Sequence, residues 1–222
     1  MTNKELRIKR IRGYFIEAAQ EIIDKEGIHA VTIRKVAQRA GYNSATLYNY
    51  FRNLDHLLAL ALSRHMGHYI ETVLETLRGD ETPFELYCTD WFVFAEKSFR
   101  LPKEYDYLFF KKPGADIAEV YNEYFKEHPD HFEQLPEAFR SMCKEQNQYT
   151  RDLAFLHTQF GFLEDSVLRR ISEMNILLHK AMLRDLAEDE ALQAHWEEYL
   201  ERFKAYFLFV TRELEEVDPI LP

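Results

Sequence analysis

The sequence predicts an all-α protein, and three observations carry that expectation. Gly and Pro number seven each in 222 residues, half the roughly 12% usual for the two together, so turns are few and elements long. Apolar residues recur at spacings of three and four along most of the chain, the period of a helix with one buried face. Apolar side chains make up 46% and charged ones 30%, enough to bury a core and too mixed for wholesale disorder. The length allows one large domain, or a small one joined to a larger one.

Ile8, Ile11, Phe15, Ala18, Ala19, Ile22 and Ile23 place one apolar stripe on a first helix, which Lys25-Glu26-Gly27 ends. Thr32 offers a cap oxygen to a short helix over 33–40, with Ile33, Val36, Ala37 and Ala40 inward and Gly41 closing it. Asn43 can cap a third helix over 44–51 that turns Leu47 and Phe51 inward. A single long amphipathic helix is expected from Leu54 to Leu77, broken by Arg78-Gly79-Asp80. Thr82-Pro83 opens the next, since proline at a first helical position loses no intrahelical bond, and this helix reaches about Arg100. Leu101-Pro102 restarts the chain into a helix ending near Lys112-Pro113-Gly114. Pro113, Gly114, Pro129 and Pro136 punctuate the stretch that follows, read as a short helix over 117–126 and then a mobile loop. The remainder reads as two or three long helices over about 137–158, 162–185 and 188–215.

The net charge of -10 argues at first against a polyanionic partner. It hides an asymmetry. Residues 1–64 hold 11 Lys+Arg against 6 Asp+Glu, a net of +5, and residues 65–222 hold 17 against 32, a net of -15. A basic head precedes an acidic body. The opening MTNKELRIKR lacks the apolar segment of a signal peptide, and no apolar run approaches the roughly 18 residues of a membrane span, so a cytoplasmic protein with no membrane partner is expected. Cys88 and Cys143 have no CxxC companion and read as reduced, buried side chains. His65/His68 and His128/His131 lack accompanying thiolates or an HExxH pattern and read as surface histidines, so no metal is expected. With no GxSxG, P-loop or GxGxxG, and no convergent set of ionisable groups, the chain is read as a non-enzyme needing no cofactor.

The segment from Val31 to Phe51, VTIRKVAQRAGYNSATLYNYF, places two short helices around a tight glycine-containing turn, the geometry of a helix-turn-helix. In that geometry the second helix enters the major groove. With Leu47 and Phe51 inward, Ser44, Thr46, Tyr48, Asn49 and Tyr50 cover the outward arc with groups that can reach base edges or phosphates. Arg7, Lys9, Arg10, Arg12, Arg34, Lys35, Arg39 and Arg52 lie near or before this unit as a basic cluster.

Gly27, Thr32, Ile33, Val36, Ala37, Ala40-Gly41, Thr46-Leu47-Tyr48, Tyr50-Phe51 and Leu57-Leu58 together resemble the DNA-binding domain of TetR-type transcriptional regulators, over about residues 8–60. The resemblance implies a three-helix helix-turn-helix domain over 1–55, joined through a helix over 55–78 to a larger helical effector-binding and dimerisation domain over 56–222. It implies a homodimer on a palindromic double-stranded operator, released by a small-molecule effector, and most often a repressor. The DNA-contacting positions it implies are Thr32, Asn43, Ser44, Ala45, Thr46 and Tyr48, with Asn49 and Tyr50 contributing; Arg34 and Arg52 join them as nearby cations. One position departs from the family. A lysine commonly holds a phosphate at the start of the fourth helix, where this chain has Leu54, and Arg52 could substitute for it.

In the body, Trp91, Phe94, Tyr107, Phe110, His157, Phe160 and Met174 are the aromatic and soft side chains that could line an effector pocket. The family plan puts a dimer interface on the last two long helices, for which Leu168, Ile171, Trp196, Tyr199, Phe203, Tyr206, Phe207 and Val210 are candidates. An alternative is an all-helical small-molecule-binding protein or enzyme whose basic head is incidental.

Overall fold

The computed structural model describes residues 2–111 and 117–217, all of them helix or connecting turn, with no strand among them. α1 (Asn3–Glu26) opens with a capping box: Thr2 Oγ1 accepts from the Glu5 backbone N–H at 3.3 Å, and the Glu5 carboxylate accepts from the Thr2 N–H at 2.7 Å. Its stripe is buried from Ile11 to Ile23, while Ile8, at its start, stays exposed. Gly27 ends α1 at φ 82°, a conformation a side chain would strain. α2 (Ile33–Arg39) and α3 (Ser44–Leu47) then pack around Phe15, whose ring centroid lies 5.3, 6.3 and 6.0 Å from Tyr42, Tyr50 and Phe51.

Where one helix was expected over 44–51, α3 is a single α-turn. Asn49 N–H bonds Thr46 O and Tyr50 N–H bonds Leu47 O, a tighter i to i-3 winding. That winding brings Tyr50 as well as Phe51 against Phe15, so Tyr50 is half-buried instead of facing outward.

The long helix expected from Leu54 to Leu77 is two, α4 (Leu54–Ala61) and α5 (Ser63–Thr76). At the junction the Leu62 N–H is shared between Leu58 O and Leu60 O, and the Ser63 hydroxyl donates to Leu60 O at 2.7 Å, competing for a helix carbonyl. Packing gives the reason for the break. Leu57 through Leu62 are six consecutive buried residues, which one amphipathic face cannot supply.

α6 (Pro83–Arg100) starts from a second capping box, Thr82 with Glu85. α7 (Pro102–Asp106) runs on into a π-turn over Tyr107–Lys111, and the expected end of this helix near 112–114 lies outside the described residues. α8 (Ile117–Glu127) is followed by α9 (Pro129–Gln134) and α10 (Glu137–Met142), where a mobile loop was expected. Pro129 is the first residue of α9 and Pro136 the cap residue of α10, so these prolines start helices. The helix expected over 137–158 is interrupted at 143–147, where Asn147 Oδ1 caps α11 (Gln148–Phe160) by accepting from Thr150 N–H at 3.1 Å. α12 (Asp165–Glu188) matches its expectation, and the last helix divides into α13 (Glu190–Gln193), α14 (Trp196–Val210) and α15 (Arg212–Val217). α6, α11, α12 and α14 enclose the aromatic centre of the body. There Trp91 lies 6.1, 5.9 and 6.0 Å from Phe94, Phe203 and Phe207. No helix among the described residues is long and apolar enough to cross a membrane.

Candidate nucleic-acid interface and the body behind it

Two capping side chains set the shape of the outward arc. Thr32 Oγ1 accepts from Lys35 N–H at 3.2 Å and starts α2. Asn43 Oδ1 accepts from both the Thr46 N–H at 2.8 Å and the Thr46 hydroxyl at 2.9 Å, and starts α3. Between them Gly41, at φ 78°, turns the chain. Thr32, Arg34, Asn43, Ala45, Tyr48, Asn49 and Arg52 are exposed, Tyr48 by 57%, with Ser44, Thr46 and Tyr50 half-buried. Because the Thr46 hydroxyl already donates to Asn43, the side-chain donors this arc offers an anion are Thr32, the Asn43 amide, Ser44, Tyr48, Asn49 and Arg34.

The basic cluster of the head is not one surface. Lys35 pairs with Glu26 at 2.8 Å, Arg39 with Glu21 at 3.3 Å, Arg52 with Glu119 at 2.5 Å, Lys9 with Glu127 at 2.5 Å and Arg12 with Glu123 at 3.5 Å. The pairing leaves its mark on titration: the Lys35 ammonium holds the Glu26 carboxyl below the usual carboxylate range. Arg7, Arg10 and Arg34 have no ion pair among the described residues. Arg7 and Arg10 line a groove of about 420 Å³ with Asn3, Leu6, Ile11, Tyr14 and Tyr42. Tyr42 immediately precedes the α3 cap, so the groove adjoins the outward arc. Sequence reasoning counted these cations together because their partners lie on other helices, Glu21 and Glu26 on α1 of the head and Glu119, Glu123 and Glu127 on α8 of the body.

The body candidates divide by position. Trp91, Phe94 and Phe110 meet around His179, with ring centroids 5.7, 5.0 and 6.0 Å from it. Tyr107 turns toward the head and donates to Asp55 Oδ1 at 2.6 Å. Phe160 is buried apart from these, 6.5 Å from Phe162. His157 sits at the surface beside Asp165 at 3.0 Å, and Met174 is 46% exposed. Of the candidate interface residues, Leu168, Ile171, Tyr199, Phe203 and Phe207 are buried within this chain, Trp196 and Val210 are half-buried with Arg100 stacked 4.5 Å from the Trp196 ring, and Tyr206 is exposed.

His179, which sequence reasoning passed over, is fully buried, bonded to Ser98 Oγ at 2.8 Å, and pushed by burial down to about 3. Its signal was present in the spacing Asn175 to His179, two polar residues one turn apart on an apolar face. His65, read as a surface residue, is also buried, 6.0 Å from the Tyr105 ring, and burial lowers it to about 4. His128 and His131 stack beside Tyr124, whose hydroxyl lies 2.7 Å from His131 Nδ1. No group of three or more His, Cys, Asp and Glu among the described residues could hold a metal ion. Cys143 is buried and Cys88 half-buried.

Beneath the aromatic centre lies a buried polar network. Asp152 Oδ1 accepts from Tyr87 OH at 3.0 Å and Trp91 Nε1–H at 2.8 Å, and Asn175 Nδ2 donates to Tyr87 OH at 3.2 Å. Asp90 accepts from Tyr69 OH. Arg151 donates to Met142 O at 3.3 Å and Tyr121 OH at 2.8 Å and lies over the Tyr121 ring. Burial pushes Asp90 up to about 7 and Asp152 up to about 6.

A carboxyl raised in the folded state adds stability that is complete below its unfolded value, about 3.9, and that is lost as pH rises through its folded value. Asp90→Asn keeps an acceptor for Tyr69 and removes this titration. Urea denaturation is expected to show the variant gaining on wild type between pH 5 and pH 8. His65 and His179 titrate in both proteins and cancel in the difference, while Asp152, whose charge helps raise Asp90, contributes to the difference with the same sign. A stability difference that does not change with pH would refute the assignment.

Residues 15–61 match the family described as "Bacterial regulatory proteins, tetR family". The chain is 34% identical over 70 residues to the Fatty acid metabolism regulator protein of Bacillus subtilis (strain 168), covering 32% of this chain and 36% of that protein. It is 35% identical over 74 residues to the HTH-type transcriptional repressor KstR of Mycobacterium tuberculosis, covering 33% and 34%. These alignments span about a third of the curated relatives' own length. Among solved structures, Thermus thermophilus FadR, a TetR-family transcriptional repressor in complex with lauroyl-CoA, superposes with a TM-score of 0.53 at 20% identity, covering 89% of this chain and 94% of that one. The likeness to that structure is one of fold.

Proposed function

We propose that this chain, residues 15–61 of which match the tetR family of bacterial regulatory proteins, is a DNA-binding transcriptional regulator, acting as a repressor, that reads a palindromic operator as a homodimer and is released by a small-molecule effector. Residues 1–55 are the reader, and 56–222 bind the effector and dimerise. The observation that carries the reading is the outward arc of exposed Arg34, Tyr48 and Asn49 and half-buried Ser44 around two side-chain-capped helices joined at Gly41. A recognition helix of this kind presents its first residues to base edges while the preceding helix crosses the backbone. The unpaired cations Arg7, Arg10 and Arg34 supply the attraction to phosphate that the acidic body cannot.

Fluorescence anisotropy with a duplex selected from random sequence by the full chain tests the reading. Affinity is expected to fall steeply with salt, and Tyr48→Ala to weaken binding about tenfold, a loss of about 1.4 kcal/mol within the range for a contact of this kind, with the helical circular dichroism unchanged. Binding indifferent to salt would remove phosphate contact from the account. Release is tested by titrating small molecules into the complex, beginning with lauroyl-CoA. In the dimer, α12 and α14 supply the contact. They pack on each other and leave Met174, Leu177, Tyr206 and Phe209 exposed by 46, 50, 46 and 73%.

A further inference from the structure

We infer that α8 regulates the reading head by standing in for DNA: its acidic ridge holds cations that would otherwise engage phosphates. The inference rests on the reading of the head as a DNA binder. Glu119, Glu123 and Glu127 are one turn apart and so share a face of α8. Each reaches the head. Glu119 lies 2.5 Å from Arg52 through one oxygen and 3.1 Å from His56 Nε2 through the other. Glu123 lies 3.5 Å from Arg12, and Glu127 lies 2.5 Å from Lys9.

The contact at Glu119 is built. His56 Nδ1 accepts from the Arg52 backbone N–H at 3.1 Å, so Nε2 carries the ring proton and donates it to Glu119. One carboxylate therefore binds both ends of the turn that leaves α3, where a phosphate would bind Arg52. The ridge is fixed by packing as well as by charge. A side chain added at Gly67 on α5 would meet the Tyr124 ring of α8 at 2.8 Å, so α8 is seated as close to α5 as a glycine permits. Tyr107, on the turn before α8, makes a further bond to the head at Asp55.

Lys9 and Arg52 are exposed and Arg12 is half-buried over the Phe51 ring; exposed ion pairs are individually weak and exchange readily for a phosphate, which makes the ridge a brake and not a lock. A shift of α8 relative to α1 and α4 changes how many cations the head can offer. The body thereby gains control of affinity without touching the outward arc.

The test uses the full chain carrying Glu119→Gln, Glu123→Gln and Glu127→Gln together, with the selected duplex, between 50 and 200 mM salt. Each cation released to a phosphate steepens the slope of log affinity against log salt by about 0.9, so three give about 2.7. The affinity advantage over wild type is then expected to be about fortyfold larger at 50 mM than at 200 mM. Adding Arg52→Gln should take back about 0.9 of that slope. A control with Glu133→Gln, Glu137→Gln and Glu145→Gln, on α9, α10 and the turn after α10, makes the same change in net charge and should leave the slope alone. Equal slopes for the α8 variant and wild type, with thermal melting showing both folded, would overturn the inference, as would an equal effect of the control. If wild type itself shows no salt-dependent DNA binding, the DNA-binding reading fails, and the brake with it.

Discussion

Asp152→Ala is expected to lower the unfolding free energy by about 2–4 kcal/mol, and Asp152→Asn to keep most of that stability. The difference follows from geometry. One oxygen, Asp152 Oδ1, accepts from both Tyr87 OH and Trp91 Nε1–H, at 3.0 and 2.8 Å. Alanine strands two fully buried donors, each at a cost of about 1–3 kcal/mol. Part of that cost is offset, because the carboxylate itself is held at a penalty that raises it to about 6. An asparagine carbonyl has two lone pairs and can accept both bonds without a charge. The raised carboxyl also fixes the pH dependence. Wild type loses its contribution as pH rises through about 6, so the Ala cost should be larger at pH 5 than at pH 8. Urea denaturation of the three proteins at both pH values decides the matter, and equal losses for Ala and Asn would sink the hydrogen-bond account.

This network is also where the sequence was least informative. Nothing local marks Asp90, Arg151 and Asp152, since burial of a charge depends on which helices close over it. The head was more legible. Thr32, Gly41, Asn43, Leu47 and Phe51 act on neighbours within a few residues, and caps, left-handed glycines and inward aromatics are local chemistry. The breaks at Leu62 and at 143–147 were missed for the opposite reason. An apolar period continues through both, and only the packing of α4 on all sides, and the cap at Asn147, show that one helix becomes two. The prolines were misread in a single respect. Pro129 and Pro136 punctuate the chain as expected, but as helix openings, which leaves α9 and α10 where a loop was expected. The pairing of Arg52, Arg12 and Lys9 could not have been read at all, because Glu119, Glu123 and Glu127 lie more than sixty residues beyond the cations they hold.

The same dependence on context separates two phenylalanines on α14. Phe207→Ala is expected to cost about 3–5 kcal/mol, because its ring is fully buried 5.4 Å from Tyr87, 5.4 Å from Phe92 and 6.0 Å from both Trp91 and Phe203. Truncation opens a hole in an aromatic cluster built from α6 and α14, whose rigid rings cannot collapse to fill it. Phe209, two residues on, is 73% exposed, so Phe209→Asp leaves the core of the single chain intact. In the proposed dimer that same aspartate would be buried at an apolar contact without a partner, a penalty association cannot bear. Light scattering of wild type is expected to give twice the chain mass of 26.6 kDa, and Phe209→Asp to give the single mass. Phe207→Ala should instead melt early at either mass. Wild type at the single mass would remove the dimer from the proposed function, whereas a large loss of chain stability from Phe209→Asp would mean that its ring belongs to the core. The family plan and the apolar arc of the last helix made Phe207 an interface candidate and left Phe209 unremarked; the two are told apart by which helices reach them.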